Sequence, residues 1–316
     1  SGYFCGSIQT TRGCPLNCSF CSVSAFNGRE FRRRPIDQVV AEFQLIREKL
    51  VLVVDDNLIG IRPEHLDYAK DLFRAMVDAD LGKRWVAQVT INMADDEELL
   101  SLAARAGCWG VFIGFESPHG EGLAEVRKKF NAGRSRDFGA SVRQIHRHGI
   151  MVCGSFIIGL DSDEPGIGEH IATAAHEWGV DVLNVMFMTP LPGTRLWERL
   201  RQENRIAADE FPADWQYYTL TNPVARYRHF SWEELVAENE ACSRHFYAYH
   251  RILRRVVVNG SKTRMPYMTL AANLSYRNNA LDLYRQRMAR IDLHRDTEGE
   301  PPRGEPAPGG RVGVSG

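Results

Sequence analysis

Nothing in this 316-residue chain is long and apolar enough to cross a membrane. The longest apolar stretch, residues 150–160, contains Gly154 and Gly159 and falls far short of the roughly 20 residues a spanning helix needs. No signal-peptide pattern is visible. An excess of charge is missing too. The 39 Lys and Arg stand against 40 Asp and Glu, a net charge of -1, which excludes a general polyanion binder and gives no reason to expect specific nucleic-acid binding. A disulfide framework is lacking. The cysteines number seven, an odd count, and three of them fall within eight residues, which fits a reducing, cytoplasmic setting and a metal site. The histidines are scattered without ligand spacing, and no short-period repeat appears.

What the chain does have is Cys14, Cys18 and Cys21, separated by three residues and then two. One tight loop with that spacing wraps three thiolates round a single inorganic centre. Structural zinc wants four ligands, usually as two close pairs. Here the next His is His65 and the next Cys is Cys108, so no local fourth ligand exists. Three thiolates with one position open suit an iron–sulfur cluster better. A zinc knob and a chance group of buried cysteines are the alternatives. After Cys21 the cysteines stand alone, which argues against auxiliary clusters.

Residues 5–190 alternate between β-rich runs and helical periodicity. The runs at 7–11, 51–54, 85–91, 110–115, 151–158 and 182–188 read as strands. The segments 35–50, 63–79, 96–106, 136–148 and 167–178 place apolar residues at intervals of three and four, as core-facing helices do. Asp95, Asp96 and Ser135 are expected N-caps, and Gly107, Gly149 and Gly179 expected stops. Near-continuous apolar strands alternating with helices predict a parallel sheet covered by helices. Six units fall short of eight, so the expected fold is α/β, a partial (β/α)6 TIM-like barrel with a helical C-terminal extension. The cysteine loop follows the first strand, which puts it at the C-terminal edge of the sheet, where such folds carry their sites. The expected division is a core over 1–200, a mostly helical region over 201–295 after an irregular stretch at 190–230, and a disordered Gly/Pro-rich tail over 296–316.

The motif Cys14-xxx-Cys18-x-Phe20-Cys21 resembles the signature loop of the radical S-adenosylmethionine (SAM) enzymes, and the likeness extends over about residues 5–200. It implies a [4Fe-4S] cluster on Cys14, Cys18 and Cys21, with SAM chelating the open iron and Phe20 beside the cofactor. Reductive cleavage of SAM would then give methionine and a 5′-deoxyadenosyl radical that abstracts hydrogen from substrate. The resemblance further implies that Asp55 or Asp56, closing the second strand, meets the SAM ammonium. Glu116 and Ser117, closing the fourth, meet the ammonium or the ribose. Gly154, Ile158 and Gly159 of the fifth strand, and Thr189 of the Thr189-Pro190-Leu191-Pro192-Gly193-Thr194 turn, lie beside adenine. One of Lys128, Lys129 and Arg143 pairs with the SAM carboxylate. Arg29 and Arg32–Arg34 read as a solvated face with an anionic contact as the alternative.

The runs at 32–35, 53–57, 111–117 and 189–194 most resemble the cobalamin-binding branch of that family. This implies methyl transfer to an unactivated carbon, with cobalamin held by a domain not present in this chain. The chain opens Ser1-Gly2-Tyr3 without an initiator methionine, so a fragment is expected. A non-methylating oxidoreductase or cyclase is the alternative chemistry, and a structural-zinc binding module the alternative class. A small-molecule or lipid substrate and an electron donor such as flavodoxin or ferredoxin are the expected partners.

Overall fold

The computed structural model describes residues 4–128, 137–208 and 210–298. Its strands, in chain order, are β1 (Gly6–Ile8), β2 (Thr11–Arg12), β3 (Arg32–Arg33), β4 (Leu50–Val53), β5 (Arg84–Val89), β6 (Cys108–Glu116), β7 (Met151–Ile158) and β8 (Val182–Phe187). Six of them form one all-parallel sheet in the order β1-β4-β5-β6-β7-β8. The order never reverses, so every crossover winds the same way. That is barrel winding rather than the doubly wound pattern, and with six strands the barrel is partial.

The expected first strand, 7–11, is cut short. Thr10 and Thr11 turn their backbone N–H groups onto the Asp55 carboxylate at 2.6 and 2.8 Å instead of onto a neighbouring strand. Thr11–Arg12 then pairs antiparallel with Arg32–Arg33. The helix expected over 35–50 is Ile36–Leu45, because Leu50 already belongs to β4. Asp96 caps its helix by accepting from the Leu99 N–H, whereas the helix that precedes β7 starts at Phe138 under an Asp137 cap. Ser135 and Lys129 lie outside the described residues. Gly107, Gly149 and Gly179 all take positive φ, the left-handed backbone expected at helix ends. A helix not anticipated, Arg195–Gln202, forms inside the stretch expected to be irregular, with Thr194 as its cap. The last helix, Pro266–Glu298, includes residues 296–298, and 299–316 lie outside the described residues.

Alternation along the strands sorts the side chains into two sets. Val51, Val53, Trp85, Ala87, Val111, Ile113, Val152 and Phe156 are buried towards the helical layer. Leu50, Leu52, Val86, Phe112, Cys153 and Val182 line a cavity on the other face, the barrel lumen.

The C-terminal helices are clamped to the barrel through Asp181. Its Oδ2 lies 2.8 Å from His146 Nε2 and accepts the Val152 N–H at 2.7 Å. Its carbonyl accepts from Asn273 Nδ2 at 3.0 Å, and Asn273 Oδ1 accepts two bonds from Arg255. All of these residues are buried. Asn273→Ala strands the guanidinium and a backbone carbonyl, and a stability loss of about 1–3 kcal/mol is expected. A lower denaturant midpoint at unchanged m-value is the measurement that checks it.

Candidate metal centre and active site

The loop carrying the three cysteines is held from several sides. Gly13 takes φ +88°, and a Cβ there would meet the Glu30 carbonyl oxygen at 2.1 Å, so only glycine fits this turn. The Gly13 N–H donates to Asp56 Oδ2 at 2.9 Å, and Asn27 Nδ2 donates to the same oxygen at 3.2 Å. Further along, the Ser19 N–H donates to the Val126 carbonyl and the Ser19 carbonyl accepts the Leu196 N–H. The loop is thus tied to the exit of β4, to the segment after β6 and to the helix Arg195–Gln202.

Cys14, Cys18 and Cys21 line one cavity of about 170 Å³ together with Phe20, Asp56, Asn57, Glu116, Lys128 and Ser155. Burial pushes all three thiols up, Cys18 to about 12, against the opposing pull of the Lys128 ammonium. Iron must therefore displace protons from these thiols as it binds. Asn57 Nδ2 sits 3.8 Å from Cys14 Sγ, a weak N–H···S contact.

The opposite wall carries a buried ion pair. Lys128 Nζ donates to Glu116 Oε1 at 2.6 Å and to the Gly114 carbonyl at 2.7 Å. A Cβ at Gly114 would meet Glu116 Oε1 at 2.2 Å, so glycine there makes room for the pair. Glu116 itself takes φ +68° where the β6–β7 register shifts, a left-handed conformation unusual for a glutamate and one that the surrounding contacts must hold. Ser155 Oγ, buried in the same cavity, has no hydrogen-bond partner.

Not every expected contact is here. Asp55 faces away: its carboxylate accepts from Thr10 N, Thr10 Oγ1, Thr11 N and Thr11 Oγ1 between 2.5 and 2.8 Å, so it is a structural clasp. Ser117 Oγ accepts the His119 N–H and serves the turn after β6. Gly154 points to the helical layer, where a Cβ would meet Val180 and Phe115 at 3.0 and 3.2 Å. Ile158 is fully buried in the core, and the Tyr227 ring covers Gly159. Thr189 Oγ1 donates back to the Phe187 carbonyl. Arg143 is exposed and pairs with Asp137 on the outside of its helix, so among the described residues Lys128 is the candidate cation that lines the cavity. Arg32, Arg33 and Arg34 bond to backbone carbonyls of Asn27, Glu64 and Gln9.

Lys128, one of the three cations expected to meet a carboxylate, lines the cavity, as do Ser155, Asn57 and Met186, which do not stand out as site residues in the sequence. For Ser155 a signal existed: it neighbours Gly154, and the strand alternation puts one of the two on each face.

The donor set fits the expected groups. No three His, Cys, Asp or Glu side chains among the described residues converge tightly enough for a single metal ion. Three thiols lining one cavity suit a cluster that keeps one iron open. The orphaned Ser155 hydroxyl and the Glu–Lys pair offer a hydroxyl and both charges of an amino-acid headgroup to a polar ligand.

Comparison with known proteins agrees. A hopanoid C-2 methylase of Rhodopseudomonas palustris is 32% identical over 214 residues, 66% of this chain and 40% of that protein. A bacteriochlorophyllide d C-12(1)-methyltransferase of Chlorobaculum tepidum is 30% identical over 255 residues, 79% of this chain and 53% of that protein. The chain therefore spans about half, or less, of these relatives. In fold it is similar to the cobalamin-dependent SAM radical enzyme OxsB with aqua-cobalamin bound, with a TM-score of 0.58 at 14% identity over 91% of this chain and 55% of that one. The family model described as the Radical SAM superfamily matches residues 8–172, from the last residue of β1 through the cysteine loop and the whole of β4, β5, β6 and β7. The chain belongs to the radical SAM superfamily, whose [4Fe-4S] cluster and S-adenosylmethionine suit the cavity these residues form.

Proposed function

We propose that this chain is the radical SAM part of a methyltransferase acting on an unactivated carbon. The observation that carries the reading is the meeting, in one cavity, of three loop thiols, a buried Glu116–Lys128 pair and an unpartnered Ser155 hydroxyl. The methyltransferase names of its relatives supply the reaction class. The bound cluster and SAM would supply one-electron reductive cleavage of a carbon–sulfur bond.

The chain's own residues have separate tasks in this reading. Cys14, Cys18 and Cys21 would hold the cluster. Lys128 meets the SAM carboxylate and Glu116 its ammonium, the two exchanging their mutual pairing for the ligand's charges. Ser155 takes a hydrogen bond from or to the nucleoside. Asp56 positions the loop through Gly13 and Asn27, while Phe20, Phe112 and Met186 exclude water. Residues 1–200 form the catalytic core in this account and 201–295 its helical closure. Cobalamin is held by a part of the protein outside this chain. The electron comes from a donor such as flavodoxin or ferredoxin in a reducing cytoplasm, and the substrate is a small molecule or lipid. No helix among the described residues is long and apolar enough to cross a membrane.

The test is transfer of an isotopic methyl label from SAM by the anaerobically reconstituted holoenzyme. A product heavier by one CH2 and carrying the label is expected. Cleavage of SAM with an unmethylated product overturns the methyl-transfer reading. Ser155→Ala is expected to weaken SAM binding about tenfold. Its thermal stability should be unchanged or slightly raised, because the substitution removes a buried hydroxyl without a partner.

A further inference from the structure

Residues 241–281 contain seven Lys and Arg and no Asp or Glu, whereas the rest of the chain carries 32 Lys and Arg against 40 Asp and Glu. Arg244 is paired with Glu240, and Arg255 is buried on Asn273 and Phe246. Arg254, Lys262 and Arg264 are exposed, and Arg251 is half-buried. The field of this cluster is felt locally: burial, and then Arg251, Arg254 and Arg255, hold the His176 imidazole down to about 4.

The same stretch exposes large apolar side chains. On the helix Tyr249–Thr263, Tyr249, Leu253 and Val257 stand at intervals of four on one face, each more than 60% exposed. At the start of the helix Pro266–Glu298, Tyr267 is 86% exposed, with Met268 and Leu270 beside it. An apolar stripe flanked by unopposed cations is the composition of a surface that lies on an anionic bilayer. A nucleic-acid site would keep the cations and has no use for the aliphatic stripe.

A second observation lies behind this face. The lumen cavity, about 370 Å³, is lined by strand residues such as Leu52, Val86 and Phe112 and by Met265, Met268 and Tyr276 of the C-terminal segment. Leu52 and Met268 are 42% and 37% exposed, so the cavity reaches solvent. It shares Gln88 and Phe112 with the cavity that holds the cysteines. Met268 therefore belongs both to the exposed patch and to an apolar cavity that adjoins the one holding the cysteines.

We propose that the face carrying Tyr249, Leu253, Val257, Tyr267, Arg254 and Lys262 docks on an anionic lipid bilayer. The apolar group of a bilayer-derived substrate enters the lumen cavity past Met268, a step that rests on the proposed methyl-transfer function. Docking itself does not, and it is measured without turnover.

Flotation of the holoprotein with vesicles tests it. Binding to phosphatidylcholine vesicles containing phosphatidylglycerol is expected, with little binding to phosphatidylcholine alone and strong weakening at high salt. The triple variant Arg254→Gln, Lys262→Gln, Arg264→Gln should lose about a hundredfold in affinity. Leu253→Glu with Val257→Glu should abolish binding while circular dichroism and SAM cleavage stay intact. Tyr267→Ser, at the most exposed position, serves if the double variant misfolds. Absence of binding to the anionic vesicles overturns the proposal, as does equal binding by all variants. So does a dimer in light scattering that Leu253→Glu splits, or retention of duplex DNA in place of vesicles. Vesicle binding without labelled product would leave docking standing and remove the methyl-transfer reading instead.

Discussion

Replacing Cys18 with alanine is expected to abolish both the brown cluster absorbance and SAM cleavage. Cys18 is flanked by Cys14 and Cys21 in one cavity, and the Asp56 and Glu116 carboxylates that share it are already engaged, by Gly13 and Asn27 and by Lys128. Losing an outer-shell partner of a metal ligand typically costs about 10–100-fold. Loss of one of three ligands should exceed that, with iron content falling to background. The fold should survive, because the loop is anchored by bonds that do not involve the thiol: Gly13 to Asp56, Ser19 to Val126 and Leu196 to Ser19. Iron and sulfide analysis, visible absorbance and far-UV circular dichroism on one sample separate the two effects. A variant that kept full SAM cleavage would remove the metal centre from its assigned place. Cys242→Ala is the control. That thiol is buried under the C-terminal helices, far along the chain from the loop, and should leave the iron content unchanged.

Lys128→Met is expected to have the second large effect, on stability as well as on SAM. The ammonium is buried at the cavity wall, with Glu116 and the Gly114 carbonyl as partners. Taking away one member of such a pair leaves a buried carboxylate uncompensated, a loss of about 3–5 kcal/mol. Glu116→Gln in the Lys128→Met background should recover a good part of that loss, since it removes the stranded charge. The double variant then isolates the ligand contact. Its fold is restored, yet it offers neither charge to an amino-acid headgroup, so SAM binding by calorimetry should stay weak. If the double variant bound SAM as the unaltered protein does, Lys128 and Glu116 would be a packing device alone.

Much of the architecture is legible in the sequence because its causes are local. Parallel strands buried on both faces show as apolar runs such as residues 151–158, and helices such as Pro63–Asp78 show their 3.6-residue period. The cysteine loop is legible for the same reason: its geometry is set by gaps of three and two residues, with no distant partner required. The strand ends are less so. At β4 the carboxylates of Asp55 and Asp56 are adjacent, yet one clasps Thr10 and Thr11 while the other holds the cysteine loop. At β7 the same alternation turns Gly154 outward and Ser155 inward. A shift of one residue reverses the face, and the sequence pattern alone does not say which face meets the helices.

Arg143 and Lys128 make the point with cations. Both lie between β6 and β7 in sequence, and both are reasonable partners for a carboxylate. Arg143 lies on the solvent side of a helix whose inner face is taken by Val142 and Ile145. Lys128 is drawn inward because Gly114 leaves space and Glu116 leaves a charge to be met. The amino-acid sequence by itself determined the metal-binding loop and the parallel sheet, since these follow from spacing and periodicity over a few residues, while the kind of chemistry entered through the resemblance of that loop to the radical SAM signature. The tertiary structure alone decided which carboxylate, which hydroxyl and which cation face the thiols, because burying a charge or turning a strand depends on neighbours tens of residues away.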